Sequence, residues 1–169
     1  MHVDAGRIGL IGHSLGGYTV LGLGGAWPAW RMPGIKAVLA LSPYSAPFVV
    51  QRTLSGLTAP VMYQGGTRDP RLTPAVRKWG GAYDQSPQPK YYVELEGAGH
   101  FAWTDVGRID RDAIVRYTLA FMNRYVKGEA ADGALTRALP GVASFQYATE
   151  SGKSPTGTAP VPGEGSLHQ

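Results

Sequence analysis

Three short stretches carry residue types that work together in acyl transfer. Gly12-His13-Ser14-Leu15-Gly16 matches G-x-S-x-G. Asp69 stands in Gly65-Gly66-Thr67-Arg68-Asp69-Pro70, and His100 stands in Gly97-Ala98-Gly99-His100-Phe101. A serine hydroxyl is a weak nucleophile by itself. It needs a base to take its proton, and the base needs a carboxylate to fix its tautomer and stabilise its charged form.

The pentapeptide is short enough to arise by chance, so its context decides. Residues 7–11 (RIGLI) read as a strand, Gly12 opens a tight turn, and residues 15–23 read as a helix. Strand, sharp turn and helix lift the serine above the sheet edge. The helix start also aims its free N–H groups at a developing oxyanion. Glycines are expected two residues either side of Ser14 because side chains there would collide with neighbouring backbone. The alternative is a structural turn with a passive serine.

The base is found by elimination among four histidines. His2 precedes the turn and His168 lies near the other terminus. His13 neighbours Ser14, and its side chain is expected to point away from the nucleophile's. His100 follows a predicted strand, at the edge where open α/β sheets bind ligands. The carboxylate is chosen similarly. Asp69 follows a predicted strand and lies between Ser14 and His100 in the chain. Asp84 falls at a helix end, Asp105 comes after His100, and Glu94 and Glu96 sit in or beside a strand. A loop-capping role is the alternative for Asp69, and a structural or solvent-facing histidine is the alternative for His100.

These groups need a scaffold, and the apolar runs supply one. Residues 36–41 (KAVLAL), 60–64 (PVMYQ) and 90–95 (KYYVEL) read as three more strands. Residues 43–59 read as a loop with about one helical turn, and residues 72–83 as a helix. Across residues 109–127, Ile114, Tyr117, Phe121 and Tyr125 fall on one helical face, and Gly128 is a stop signal. Strands alternating with helices imply a parallel sheet. The runs are apolar throughout, as in strands covered on both faces. Beyond Gly128 the pattern fades. Residues 151–169 are rich in Gly, Pro, Ser and Thr and are expected to form a mobile tail.

Composition narrows the function. The chain has 169 residues, 43% hydrophobic and 17% charged, enough for one core. Its net charge of +4 is scattered, without the basic block that nucleic acid or an anionic membrane would need. No cysteine is present, which excludes disulfides, a thiol nucleophile and thiolate metal sites. No His, Asp or Glu spacing suggests a metal, and no cofactor is expected. The glycines at 22, 24 and 25 lie at a helix end rather than after a strand, which argues against a nucleotide loop. No signal peptide or membrane-length apolar run is visible, so the chain as given reads as cytoplasmic.

The runs RIGLIGHSLGGYTVLGLGG, PVMYQGGTRDPRLTP and YYVELEGAGHFAWTD resemble the second half of an α/β-hydrolase, over about residues 4–127. The nearest likeness is to the dienelactone-hydrolase-like esterases, which resemble platelet-activating-factor acetylhydrolases and polyester hydrolases. The resemblance implies a truncated α/β-hydrolase fold with a mainly parallel sheet of about four strands flanked by helices. It implies a catalytic domain over residues 1–127, with a C-terminal extension over 128–150 and the tail after it. By the same likeness Ser14 is the nucleophile, Asp69 the orienting acid and His100 the general base, and the Leu15 N–H is an oxyanion donor. The expected activity is hydrolysis of small soluble short-acyl esters. Tyr44, Phe101 and Trp103 are candidates to line the substrate site, with ordinary packing as their alternative. Trp27, Trp30 and Trp79 are expected to be packing residues.

The sequence departs from that family in one respect. Only thirteen residues precede Ser14, so no upstream loop supplies a second oxyanion donor. Its elbow strand is therefore expected at a sheet edge with unpaired backbone groups, inviting a second copy or an N-terminal partner chain. Two other functions stay open: a non-catalytic or partner-dependent half-domain, and another acyl hydrolase such as a thioesterase, amidase or peptidase.

Overall fold

The computed structural model describes residues 4–107, 111–150 and 152–153 of the 169. The remainder of the expected tail lies outside the described residues. Four parallel strands form one side of the sheet: β1 (Ile8–His13), β2 (Ile35–Leu41), β3 (Val61–Arg68) and β4 (Lys90–Gly99), paired in that order. Two antiparallel strands, β5 (Val142–Thr149) and β6 (Gly152–Lys153), continue the sheet beyond β4. Among the described residues the sheet thus has six strands, four of them the parallel strands expected.

Period-two alternation explains the continuous apolar runs. Val38, Ala40, Val61, Tyr63 and Tyr92 face one buried cluster with Val20, Leu21, Phe48 and Leu54. Ala37, Leu39, Met62, Tyr91, Val93 and Leu95 face another with Ile114, Tyr117 and Phe121. Neighbouring residues on one strand enter opposite layers, so every position is apolar. Burying a side chain such as Phe121 or Leu39 contributes roughly 1.5–3 kcal/mol. The phenols of Tyr63 and Tyr92 are carried into these layers, and burial pushes both well above the usual tyrosine range.

Helices cover both faces. α1 (Leu15–Leu21) follows β1 and continues into a wider turn over Gly22–Ala26. α2 (Ala46–Gln51) and a 3-10 turn (Thr53–Gly56) occupy the stretch expected to be mostly loop. The single helix expected over 72–83 is two short ones, α3 (Thr73–Arg77) and α4 (Ala82–Gln85). The chain leaves helical geometry at Lys78, and Gly80 takes φ +68, where a helix cannot continue. α5 (Asp112–Met122) buries Ile114, Tyr117 and Phe121 as their spacing predicts, and the helical stretch ends at Gly128.

Residues 128–150, expected to form an extension, add β5 to the sheet. Phe145 stacks on Tyr117 at 5.4 Å and Tyr147 on Tyr91 at 6.3 Å, while Ser144 and Gln146 take the alternate positions. β1 forms the opposite edge, as expected, with Ile11 51% exposed. Trp79, expected to pack, stands 96% exposed just after α3. Among the described residues no helix is long and apolar enough to cross a membrane, and no three His, Cys, Asp or Glu side chains are grouped to hold a metal ion.

Candidate active site

The C-terminal ends of the four parallel strands converge on one edge. Ser14 follows β1, Ser42 follows β2, Asp69 follows β3 and His100 follows β4. Parallel pairing places all four ends on the same side, which lets residues distant in sequence meet.

Ser14 adopts φ 56 and ψ −116, a backbone that costs about 1–3 kcal/mol for a side chain with Cβ. Three hydrogen bonds hold it there. Its N–H donates to the Leu41 carbonyl at 3.0 Å, and its own carbonyl accepts from Tyr18 N–H and Tyr44 N–H, each at 3.1 Å. Gly12 is sterically required, since a Cβ there would stand 2.2 Å from the Gly16 carbonyl oxygen. Gly16 is not: a Cβ on it meets nothing within 4 Å. The second crowded glycine is Gly17, whose Cβ would lie 2.6 Å from Pro43 Cβ. The sequence expectation therefore holds on one side of Ser14 and is displaced by one residue on the other. Leu15 begins α1, where the first N–H groups have no partner inside the helix.

The three chemistry-bearing side chains form a chain of hydrogen bonds. His100 Nε2 lies 3.0 Å from Ser14 Oγ, and His100 Nδ1 lies 3.1 Å from Asp69 Oδ2. A carboxylate only accepts, so the Nδ1 proton is on His100 and Nε2 is left with a lone pair facing the serine. Asp69 is 3% exposed, while the His100 side chain is 28% exposed. The Asp69 turn is fixed by its backbone, donating to Gly66 and accepting from Thr73. The Thr73 hydroxyl also accepts from Gly66 N–H at 3.0 Å.

Two neighbours escaped the sequence reading. His13, expected to point away from Ser14's side chain, lies beside His100. Its ring centroid is 4.7 Å from that of His100, and its Nε2 donates to the His100 carbonyl at 2.6 Å. His13, the residue before the serine within G-x-S-x-G, sits at a strand end, where the chain turns and simple alternation stops deciding direction. Ser42, legible in sequence only as a turn signal before Pro43, is fully buried and donates to Asp69 Oδ2.

Of the candidate substrate residues, Tyr44 is 40% and Phe101 59% exposed, and the Phe101 ring lies 5.1 Å from His100. Trp103 is held inward. Its indole N–H donates to buried Gln64 at 2.9 Å, and its ring stacks on His13 at 6.1 Å. Gln64 reaches Thr118 of α5 with its amide nitrogen, tying the histidine loop to that helix. The rejected carboxylates are occupied elsewhere: Asp84 accepts from Gly80 N–H, and Glu94 pairs with Arg77 at 3.0 Å. A recess of about 760 Å³ between α5 and residues 137–141 contains none of the three chemistry-bearing residues.

A covered, mainly parallel sheet presenting Ser, Asp and His in that chain order at its strand ends is the α/β fold of a hydrolase. Residues 1–136 match the family described as PET hydrolase-like. The chain belongs to that family. It is 30% identical over 129 residues to Cutinase 1 of Thermobifida cellulosilytica, covering 75% of this chain and 44% of that protein. The same identity and length hold for a cutinase of Thermobifida fusca (strain YX), covering 75% and 38%. A bis(hydroxyethyl) terephthalate hydrolase of Streptomyces coelicolor is 24% identical over 127 residues, covering 73% and 36%. The chain thus matches less than half the length of these relatives.

Proposed function

We propose that the chain hydrolyses carboxylic esters through an acyl-enzyme, with Ser14, His100 and Asp69 as its triad. The hydrogen-bonded chain from Asp69 through His100 to Ser14 carries this reading. Ser14 Oγ attacks the ester carbonyl while His100 Nε2 takes its proton. The leaving alcohol receives that proton. Water then enters, gives its proton to His100 and attacks the acyl carbon; the bond to Ser14 Oγ breaks, Oγ takes that proton back from His100, and the acid is released. Asp69 keeps the proton on Nδ1 and stabilises the imidazolium. The Leu15 N–H at the start of α1 faces the developing oxyanion in this scheme.

The relatives named as cutinases and as a terephthalate-ester hydrolase support ester over amide bonds. Small soluble esters are proposed as the substrates. Tyr44, whose N–H donates to the Ser14 carbonyl, and Phe101, whose ring lies beside His100, are exposed and are proposed to contact the substrate. Trp103 is proposed to act from behind, through His13.

The test is turnover of a short-chain 4-nitrophenyl ester by the full chain beside Ser14→Ala. Turnover that the substitution reduces by about 10³-fold or more supports the triad. Turnover that persists equally in both proteins excludes Ser14 as nucleophile, whereas equal inactivity favours a partner-dependent half-domain.

One observation favours a partner-dependent form of this activity. β1 leads directly into Ser14 and is also an edge strand with Ile11 exposed. We propose that a second copy pairs along β1. A strictly monomeric species in sedimentation at micromolar concentration, with β1 amides protected from hydrogen exchange, would overturn it.

A further inference from the structure

Ser42 has no part in the three-residue scheme, yet it lies inside it. It is fully buried and sits at φ +41, a region that favours glycine over residues with Cβ. Its backbone N–H donates to the Gln64 carbonyl at 2.7 Å, anchoring the turn between β2 and β3. A passive turn here needs only glycine. The residue present instead carries a hydroxyl, aimed at the two groups behind the nucleophile. Ser42 Oγ donates to Asp69 Oδ2, the same oxygen that accepts from His100. Ser42 Oγ is also 3.2 Å from His100 Nδ1.

A hydroxyl has one hydrogen, and here the carboxylate takes it. The side of Oγ facing Nδ1 is therefore a lone pair. The Nδ1 proton has two acceptors, Asp69 Oδ2 and Ser42 Oγ, while Oδ2 has two donors. The three atoms close a triangle that resists rotation of both the imidazole and the carboxylate. We infer that Ser42 is a positioning residue that holds His100 and Asp69 in register for proton transfer from Ser14. This inference rests on the triad reading above. The other titratable side chain against His100 among the described residues is His13, at the end of β1.

Substitutions at Ser42 separate this role from a structural one because the two predict opposite rank orders. Ser42→Gly removes the hydroxyl and relieves the backbone. Ser42→Ala removes the hydroxyl and keeps the strain. Ser42→Thr keeps the hydroxyl and adds strain, since β-branched residues tolerate positive φ poorly. If the hydroxyl positions the base, Gly and Ala share a fall in kcat of roughly ten-fold with little change in KM, and Thr retains more activity than either despite lower stability. If Ser42 is merely structural, Gly is best and Thr worst.

Proton NMR of His100 Nδ1–H gives a readout independent of turnover. In Ser42→Gly and Ser42→Ala this resonance moves downfield, because Oδ2 then serves one donor instead of two, and its exchange with water quickens. Should Ser42→Thr not fold, Gly against the original chain still decides. A Gly variant with unchanged kcat and an unmoved resonance overturns the inference. A moved resonance in a chain that never turns over esters leaves Ser42 coupled to His100 and rejects the hydrolytic reading instead.

Discussion

The two glycines of G-x-S-x-G should respond oppositely to alanine. A Cβ on Gly12 would lie 2.2 Å from the Gly16 carbonyl oxygen, whereas ordinary carbon–oxygen contact begins near about 3.3 Å. α1 would have to retreat from β1 by about 1 Å. Overpacking of this kind costs roughly 1–3 kcal/mol. A displacement of about 1 Å at the start of α1, which holds Leu15 and follows Ser14, costs on the order of 100-fold in reactivity. Gly16 lies inside α1 with no atom near its missing Cβ, so alanine there should add about 0.5–1 kcal/mol of stability. The two variants should thus differ by about 1.5–4 kcal/mol, the sum of the two effects. Urea denaturation reads the stability, and the rate of Ser14 labelling by a fluorophosphonate reads the site. Equal destabilisation by both substitutions, or an unaffected Gly12→Ala, would refute the steric account.

Other outcomes follow from single contacts. His13→Ala removes the donor to the His100 carbonyl and the ring beneath it, so kcat should fall about 5- to 100-fold by misplacing the base, with a smaller change in KM. Trp103→Phe leaves the buried Gln64 oxygen without its indole donor and should cost about 1–3 kcal/mol in urea denaturation. Trp79→Ser removes a side chain that touches almost nothing and should change stability by less than about 0.5 kcal/mol. Burial pushes Tyr83 up to about 12, with Asp84 adding to the shift, and raises Tyr63, Tyr91, Tyr92 and Tyr117 chiefly by the same cause. Unfolded tyrosines release their protons near about pH 10, so this contribution is complete below that pH and is lost as pH rises through the folded values. Absorbance at 295 nm with denaturation at stepped pH tests it. A stability that stays level across that rise would refute the buried-phenol account.

The sequence made the four parallel strands legible because buried parallel strands are apolar at every position. β5 was not legible in the same way. It is a half-buried strand whose Phe145 and Tyr147 alternate with Ser144 and Gln146, and it pairs with β4 only after a long return of the chain. Ser14, Asp69 and His100 could be selected from strand ends and chain order, and the structure brings them within hydrogen-bond reach. His13 and Ser42 could not. Strand alternation says nothing once the chain turns, and a serine before proline reads as a turn whether or not its hydroxyl meets a carboxylate. The break in the 72–83 helix has a local signal in Gly80-Gly81, outweighed in the periodicity by the apolar residues around it.

The register of the last strands has a practical consequence for attaching this protein to something else. Lys153 pairs with Ala148, and Ala148 pairs with Lys90 at the start of β4. His100 follows the other end of that strand, which its ten residues extend by roughly 33 Å. A bead, a fibre or a fused protein joined at Lys153 would therefore sit at the end of the sheet away from Ser14 and His100. Immobilisation through that end should preserve access to bulky substrates, whereas coupling near Pro43 or Phe101 would turn the reactive edge toward the support.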